Sequence, residues 1–162
     1  MRFVPKDNQV LAIIAGWMQD KELGPLMGGL SVPMPHKMLV DHLDSTYDGV
    51  QNILVGALDE KTNTLGGAYF IHQSIAHRRA EVHHVFMKEY RGKFCLEAYH
   101  KVIDYMKNQL RLEIIYGMFA TSNQSPSSYL EKLGWRKAGV LPKYFINSNG
   151  QEDSHVFYLE LK

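Results

Sequence analysis

Residues 85–96 read Val-Phe-Met-Lys-Glu-Tyr-Arg-Gly-Lys-Phe-Cys-Leu, and the change of residue type along them sets the architecture on either side. The run Ala80 to Met87 is apolar and β-branched enough for a strand, and Lys88 to Gly92 is turn material. From about Gly92 to Gln109, Cys95, Tyr99, Val102 and Met106 recur at helical spacing. A strand that turns directly into a helix aims the helix's unpaired N–H groups, and the positive end of its dipole, at one point. Arg91 and Lys93 add charge at that point. A phosphate group is the natural guest; two solvated cations at an ordinary helix start are the plainer alternative.

Working back from this segment, Leu65 to His72 and Ile53 to Leu58 read as strands of an antiparallel hairpin, with Asp59 to Thr64 as its turn. Before them, a glycine- and proline-rich stretch from Gly24 to Pro35 separates two helical patterns. The first is capped by Asp7 and carries Val10, Ile13, Ile14, Trp17 and Met18 on one face. The second, His36 to Leu43, has Met38, Leu39 and His42 at near-helical spacing. Met1 to Pro5 makes a short first strand. Working forward, Glu113 to Ala120 is a strand, and Asn123-Gln-Ser-Pro-Ser-Ser opens a helix with Pro126 in its first turn. Ser128 and Glu131 are spaced as a capping box, and Gly134 suits the position after the helix end. Trp135 to Ile146 and Glu152 to Leu161 form a closing hairpin around Asn147-Ser-Asn-Gly. The order β-α-α-β-β-β-α-β-α-β-β predicts an α+β fold, a mixed central sheet of about seven strands flanked by about four helices.

The chain has 162 residues, 45% hydrophobic and 22% charged, which fits a single folded domain over 1–162. Its 18 basic and 17 acidic residues nearly cancel, which argues against a protein whose main role is to coat nucleic acid, where a basic stripe is expected. The single cysteine, Cys95, leaves no intramolecular disulfide framework and no Cys-rich zinc site, and it fits a reducing compartment. Near the N-terminus the longest apolar run, Val10 to Ile14, is far short of the ~20 residues that span a bilayer. The opening residues also lack a signal-peptide layout, so the expected location is cytoplasmic, with no membrane partner.

Two segments carry a resemblance. Tyr90-Arg-Gly-Lys is similar to the start of the pyrophosphate loop of the GNAT superfamily of acyl-CoA N-acetyltransferases. Asn123 to Trp135, NQSPSSYLEKLGW, is similar to the family's asparagine after the fifth strand, followed eleven residues later by Gly and an aromatic. The Leu-Glu-Lys-Leu-Gly-Trp ending and Ala138-Gly-Val-Leu resemble the branch that acetylates protein N-termini and small amines. The resemblance implies a single GNAT-like domain with acetyl-CoA as cosubstrate. It implies that the strand after Glu81 splays from its neighbour, so that His84, Val85, Phe86 and Met87 lie beside the cosubstrate. Arg91, Gly92 and Lys93 would then hold the pyrophosphate, and Asn123 would hold the end of the fifth strand.

The sequence departs from the family at three places. Phe94 and Leu96 stand where the loop usually keeps small residues that let backbone approach the pyrophosphate. Leu130 stands where many members have a tyrosine that protonates the leaving thiolate, with Tyr129 one place earlier and turned by ~100° around the helix. Two functions from different classes therefore stand open. One is an acetyl-CoA-dependent acetyltransferase that moves an acetyl group to a primary amine on a protein N-terminus, a lysine or a small molecule. The other is a catalytically inactive binding or assembly protein with the same fold.

His83 and His84 are adjacent on a strand, so they point to opposite faces, and Glu81 shares the face of His83. An imidazole or this carboxylate is suited to deprotonating an ammonium, so His84, His83 and Glu81 are the catalytic candidates, beside the alternative of hydrogen-bonded structural histidines. The other histidines show no metal-ligand spacing with a third ligand, so no metal is expected. The expected partners are an amine-bearing small molecule or protein and no nucleic acid; a homodimer is left open.

Overall fold

The computed structural model describes residues 1–27, 34–123, 125–147 and 150–161. Among them the elements follow the expected order: β1 Arg2–Pro5, α1 Asn8–Gln19, α2 His36–Thr46, β2 Asn52–Asp59, β3 Thr64–Ser74, β4 Arg79–Phe86, α3 Lys93–Asn108, β5 Ile114–Ala120, α4 Ser125–Lys132, β6 Arg136–Asn147 and β7 Gly150–Glu160. The strands form one seven-stranded sheet in the order β1-β2-β3-β4-β5-β7-β6. Every neighbouring pair is antiparallel except β4 and β5.

Each helix forms for local reasons and then buries one face. The Asp7 side chain accepts the Val10 N–H at 2.8 Å and caps α1, a contact worth ~1 kcal/mol. α1 and α2 then cover one face of the sheet, with Leu11, Ile14, Leu39 and Phe70 in the shared core. α3 and α4 cover the other face, where Tyr69, Ile71, Val102, Met106 and Phe157 pack together. Gly134, with φ 87°, follows α4 as expected.

Two expectations need correction. The buried face of α2 is Leu39 and Leu43, whereas Met38 is 55% exposed and His42 lies outward. Helix spacing was satisfied by both sets, and the wider apolar surface won. α4 starts at Ser125, so Ser128 and Glu131 lie inside the helix and form no cap; a proline is pre-set for the first turn, and Pro126 occupies it. Of the expected Gly24–Pro35 loop, Gly24–Met27 is a 3-10 turn, while residues 28–33 lie outside the described residues, as do positions 148–149 of the closing hairpin turn.

One feature of the topology positions everything that follows. β4 and β5 pair only at Arg79↔Ile114, Ala80↔Ile115 and Glu81↔Tyr116, although β4 runs on to Phe86 and β5 to Ala120. Beyond Glu81 the two strands part, and the sheet carries a wedge-shaped gap in its middle.

Candidate active site

The gap presents unpaired backbone. The Met87 N–H donates to Gly66 O across the β3–β4 ladder at 3.0 Å. Because alternate residues of a strand point their N–H and C=O groups to opposite sides, the backbone groups of His84 and Phe86 then face away from β3 and into the gap. The Phe86 carbonyl already accepts the Arg91 Nε–H at 3.2 Å, which fixes the Arg91 guanidinium at the α3 end of the gap.

At that end Gly92 adopts φ 94° and ψ −126°, a conformation closed to residues with a Cβ, and nothing lies within 4 Å of where its Cβ would stand. α3 begins at the next residue without a side-chain cap and without an acid in its first turn, so its leading N–H groups are left for an outside acceptor. Phe94 and Leu96, the departures from the family loop, are half-buried and packed on the core under α3. Phe94 sits among Phe86 and Tyr90, with ring centroids 6.2 and 5.0 Å away. Both side chains pack toward the core, Phe94 against Tyr90 at the start of the loop. The residues present therefore fit a pyrophosphate: an open Gly92, exposed Arg91 and Lys93, and free helix amides.

The two faces of β4 at the gap differ in chemistry. On the α3/α4 face, His84 lies with Tyr69 and Phe86 at ring distances of 5.7 and 5.9 Å. The ring is open to solvent yet surrounded by protein mass, the condition of a side chain in a cleft wall. Burial, and secondarily the neighbouring His83, push its pKa down to about 4. Solvent reaching the ring offsets part of this push toward the neutral form. Tyr129 is 37% exposed on this face; burial raises its pKa first, and Cys95 and Tyr99 add to the effect. Leu130 is in the core. Asn123 is half-buried, and its N–H closes a turn onto Ala120 O at 2.9 Å just past β5.

On the α1/α2 face, His83 Nε2 and Glu81 Oε1 are 2.5 Å apart. That hydrogen bond holds the Glu81 carboxyl below its ordinary pKa, against the upward push of burial. The pair does not stand alone. The ladder registers Asn52↔His72, His72↔Glu81, Glu81↔Tyr116 and Tyr116↔Tyr158 set polar residues in a row across four strand pairs, and direct cross-strand partners share a face. His72 Nδ1 is bonded to Asn52 Oδ1 at 2.8 Å. The Tyr116 phenol is raised in pKa by burial and then by the charge of Glu81. Tyr144, from β6, is raised by burial and then by Glu81 and Tyr116, which places its phenol in electrostatic reach of the same carboxylate.

The structure thus brings Glu81, His83 and His84 to the point where the strands part, with Arg91, Gly92 and Lys93 at the far end of the gap. His83 and His84 are kept on opposite faces. His72, Asn52, Tyr116 and Tyr144 escape a reading by residue type, because each stands in its strand with no motif around it. The short connection between β3 and β4 held a usable signal: extending that hairpin's register backwards pairs position 72 with 81. Among the described residues no group of three or more His, Cys, Asp or Glu is gathered for a metal ion.

No family model matches the chain. Among curated proteins it is 27% identical over 121 residues to the uncharacterized N-acetyltransferase YoaA of Bacillus subtilis, covering 74% of this chain and 68% of that one. Among solved structures it superposes on spermidine N-acetyltransferase SpeG from Vibrio cholerae in complex with CoA and spermine, with a TM-score of 0.85 at 18% identity over 99% of this chain and 95% of that one. The dodecameric form of spermidine N-acetyltransferase from the same organism, in an intermediate state, gives 0.82 at 18% identity, over 99% of this chain and 93% of that one. With its strand order, its parted central strands and these structural likenesses, the chain has the fold of these N-acetyltransferase structures, the GNAT fold.

Proposed function

We propose that this chain, a single domain over 1–162, is an acetyl-CoA-dependent N-acetyltransferase that moves an acetyl group to a primary amine on a small molecule or protein, in the cytoplasm. The observation that carries this reading is the parting of β4 and β5 after Glu81↔Tyr116, with Gly92 and the uncapped start of α3 at one end and a carboxylate–imidazole pair at the other. Acetyl-CoA, when bound, supplies a thioester whose carbonyl carbon is open to attack by an amine.

The chain's own residues do the rest. Arg91, Gly92 and Lys93 hold the pyrophosphate through charge and backbone amides. The outward backbone groups of His84 and Phe86 give an extended amide chain a strand to pair with, while Val85 and Met87 lie on the same strand beside it with their own backbone turned to β3. Asn123 closes the backbone turn that ends β5, the wall of the gap opposite β4. Glu81 and His83 face the amine side, where the carboxylate draws in an ammonium and the pair takes up its proton. His84 lines the thioester side as a neutral imidazole, able to donate or accept a single hydrogen bond without competing as a cation. Positioning of the two reactants supplies much of the rate. The half-buried placement of Phe94 and Leu96 in the core supports the enzyme over an inactive descendant, whose pocket those side chains would fill.

The polyamine-acetylating neighbours support a small cationic amine as the acceptor, and the dodecameric one supports self-association. The test is a turnover assay with acetyl-CoA against a panel of polyamines, other primary amines and peptides, read by free thiol release and product mass. Acetylation of at least one class is expected. CoA binding with no turnover on any class would return the chain to a binding role.

A further inference from the structure

We propose that His72 is a further proton-handling residue of the acceptor site: it takes on its Nε2 the proton that the incoming ammonium gives up at the Glu81–His83 pair. The inference rests on the acetyltransferase reading and deepens it. Three observations lead to it.

The first is placement. His72 stands directly across the β3–β4 ladder from Glu81, on the same face, and its ring centroid is 6.3 Å from that of His83. The second is orientation. His72 Nδ1 is 2.8 Å from Asn52 Oδ1, and an amide oxygen only accepts, so Nδ1 carries the hydrogen. Nε2 is left as a bare lone pair. The Tyr47 ring packs against the imidazole, with centroids 5.6 Å apart. The third is availability. His83 Nε2 is committed to Glu81 at 2.5 Å, and the Glu81 side chain is mostly covered, so His72, directly across the ladder, is the neighbouring base on this face that is not tied to the carboxylate. His72 is half-buried, and burial, reinforced by His83, keeps it in the neutral form that can accept.

The titratable groups facing His72 are Glu81 and His83 on β4 and Tyr47 beyond α2; Asn52 on β2 is neutral. In the step, one N–H bond of the ammonium breaks. Its electron pair stays on nitrogen and forms the new N–C bond to the thioester carbonyl, and the C–S bond breaks with its pair on sulfur. This first proton passes by way of Glu81–His83 to His72 Nε2 and from there to solvent; a second N–H proton, released from the acylated nitrogen, goes to the thiolate, which leaves as thiol beside a neutral amide.

The experiment compares wild type with His72→Gln, His72→Ala and Asn52→Ala in the full chain, using an amine that wild type acetylates. For His72→Gln, kcat should fall by about 10² or more while the KM for amine and the affinity for CoA hold. The acidic limb of its pH–rate profile should move, and free imidazole should restore part of the rate of His72→Ala. Asn52→Ala should shift the limb with a smaller loss of kcat. Nitrogen-15 shifts of wild-type His72 at pH 7 should show Nδ1 protonated and Nε2 bare. An unchanged kcat and profile in His72→Gln, or the opposite tautomer, overturns the proposal. A loss of CoA binding together with activity, without imidazole rescue, assigns His72 to structure and overturns it as well. Wild type that binds CoA but acetylates no amine overturns the acetyltransferase reading and this inference with it.

Discussion

Phe94 stands edge-on to Tyr90, with ring centroids 5.0 Å apart, and both rings lie over Gly66. A Cβ on Gly66 would come within 2.6 Å of Tyr90 Cγ and 3.0 Å of Phe94 Cε1, so the strand gives up a side chain to let this turn pack down. Tyr90 is tied further by its hydroxyl, 3.0 Å from Thr62 Oγ1. Phe94→Ala should therefore destabilise the fold by about 2 kcal/mol, less than a fully buried phenylalanine, and should not tighten CoA binding. Gly66→Ala should cost about 1–3 kcal/mol by overpacking and should also weaken CoA, because Tyr90 must move and the loop with it. Denaturant unfolding and calorimetric titration read both. Tighter binding by Phe94→Ala would show that the ring blocks the phosphate site.

Removing the carboxylate at the parting point tests the acceptor side. Glu81→Gln keeps the size of the side chain and loses its charge, and kcat/KM for the amine should drop by roughly 10²–10⁴ with CoA affinity intact. Stability carries a second signature. The hydrogen bond from His83 depresses the folded-state pKa of Glu81, so its contribution is present above the unfolded carboxyl value of about 4.3 and is lost as pH falls through the lower folded value. The stability gap between wild type and Glu81→Gln should accordingly shrink in the acid range. A gap that is constant from neutral pH to pH ~3 would mean that the pair is not formed in solution.

His84 gives the opposite test, because a neutral imidazole is what the fold prefers there. Its folded-state pKa is pushed down from 6.5 to about 4. Above 6.5 both states are neutral and the residue contributes no pH dependence. Between 6.5 and 4 the unfolded chain takes up the proton first, so stability falls as pH falls. His84→Gln should lessen the drop in Tm between pH 7 and pH 5. His72, lowered for the same reason, remains in both proteins and cancels from the difference. Parallel Tm–pH curves would place His84 in bulk-like solvent.

Most of the fold was legible in the sequence because apolar periodicity and punctuation agree. Asp7 caps what the pattern of Val10, Ile14 and Trp17 announces, and Gly134 stops α4 where a left-handed residue is needed. Ambiguity arose on the short helix α2, where Met38/His42 and Leu39/Leu43 both keep helical spacing, and the more apolar of the two faces is the one buried. The anion site was legible for a similar reason: charge, glycine and helix start are adjacent in the chain. The acceptor side was half legible. Glu81 and His83 lie two residues apart, so alternation alone puts them together. His72, Tyr116 and Tyr144 reach the same carboxylate through strand register and a bulge, relationships that residue type does not encode.

That bulge makes the last prediction. In the β6–β7 hairpin Leu141 pairs with Ser154 and Phe145 with Glu152, so Pro142, Lys143 and Tyr144 together oppose Asp153. Lys143 takes a left-handed φ of 54°, and its N–H donates to Asp153 Oδ1 at 2.8 Å. The extra residues bend the strand and re-aim its side chains, which is what a bulge does beside a site. Tyr144 is left 46% exposed with its phenol in reach of Glu81 and Tyr116. If this phenol forms part of the wall that an ammonium meets, Tyr144→Ala should raise the KM for amine with little change in kcat or CoA affinity. Asp153→Ala should produce the same rise indirectly, because the Lys143 N–H loses its acceptor and the bulge loosens. Lys143→Gly, which relieves the left-handed strain while keeping the N–H, should leave the KM near wild type and change stability by no more than about 1 kcal/mol. Steady-state kinetics on the three variants decide it. An unchanged KM in both Tyr144→Ala and Asp153→Ala would place the acceptor elsewhere on the face, whereas a rise in Lys143→Gly equal to that in Asp153→Ala would make hairpin rigidity, and not the aim of Tyr144, the cause.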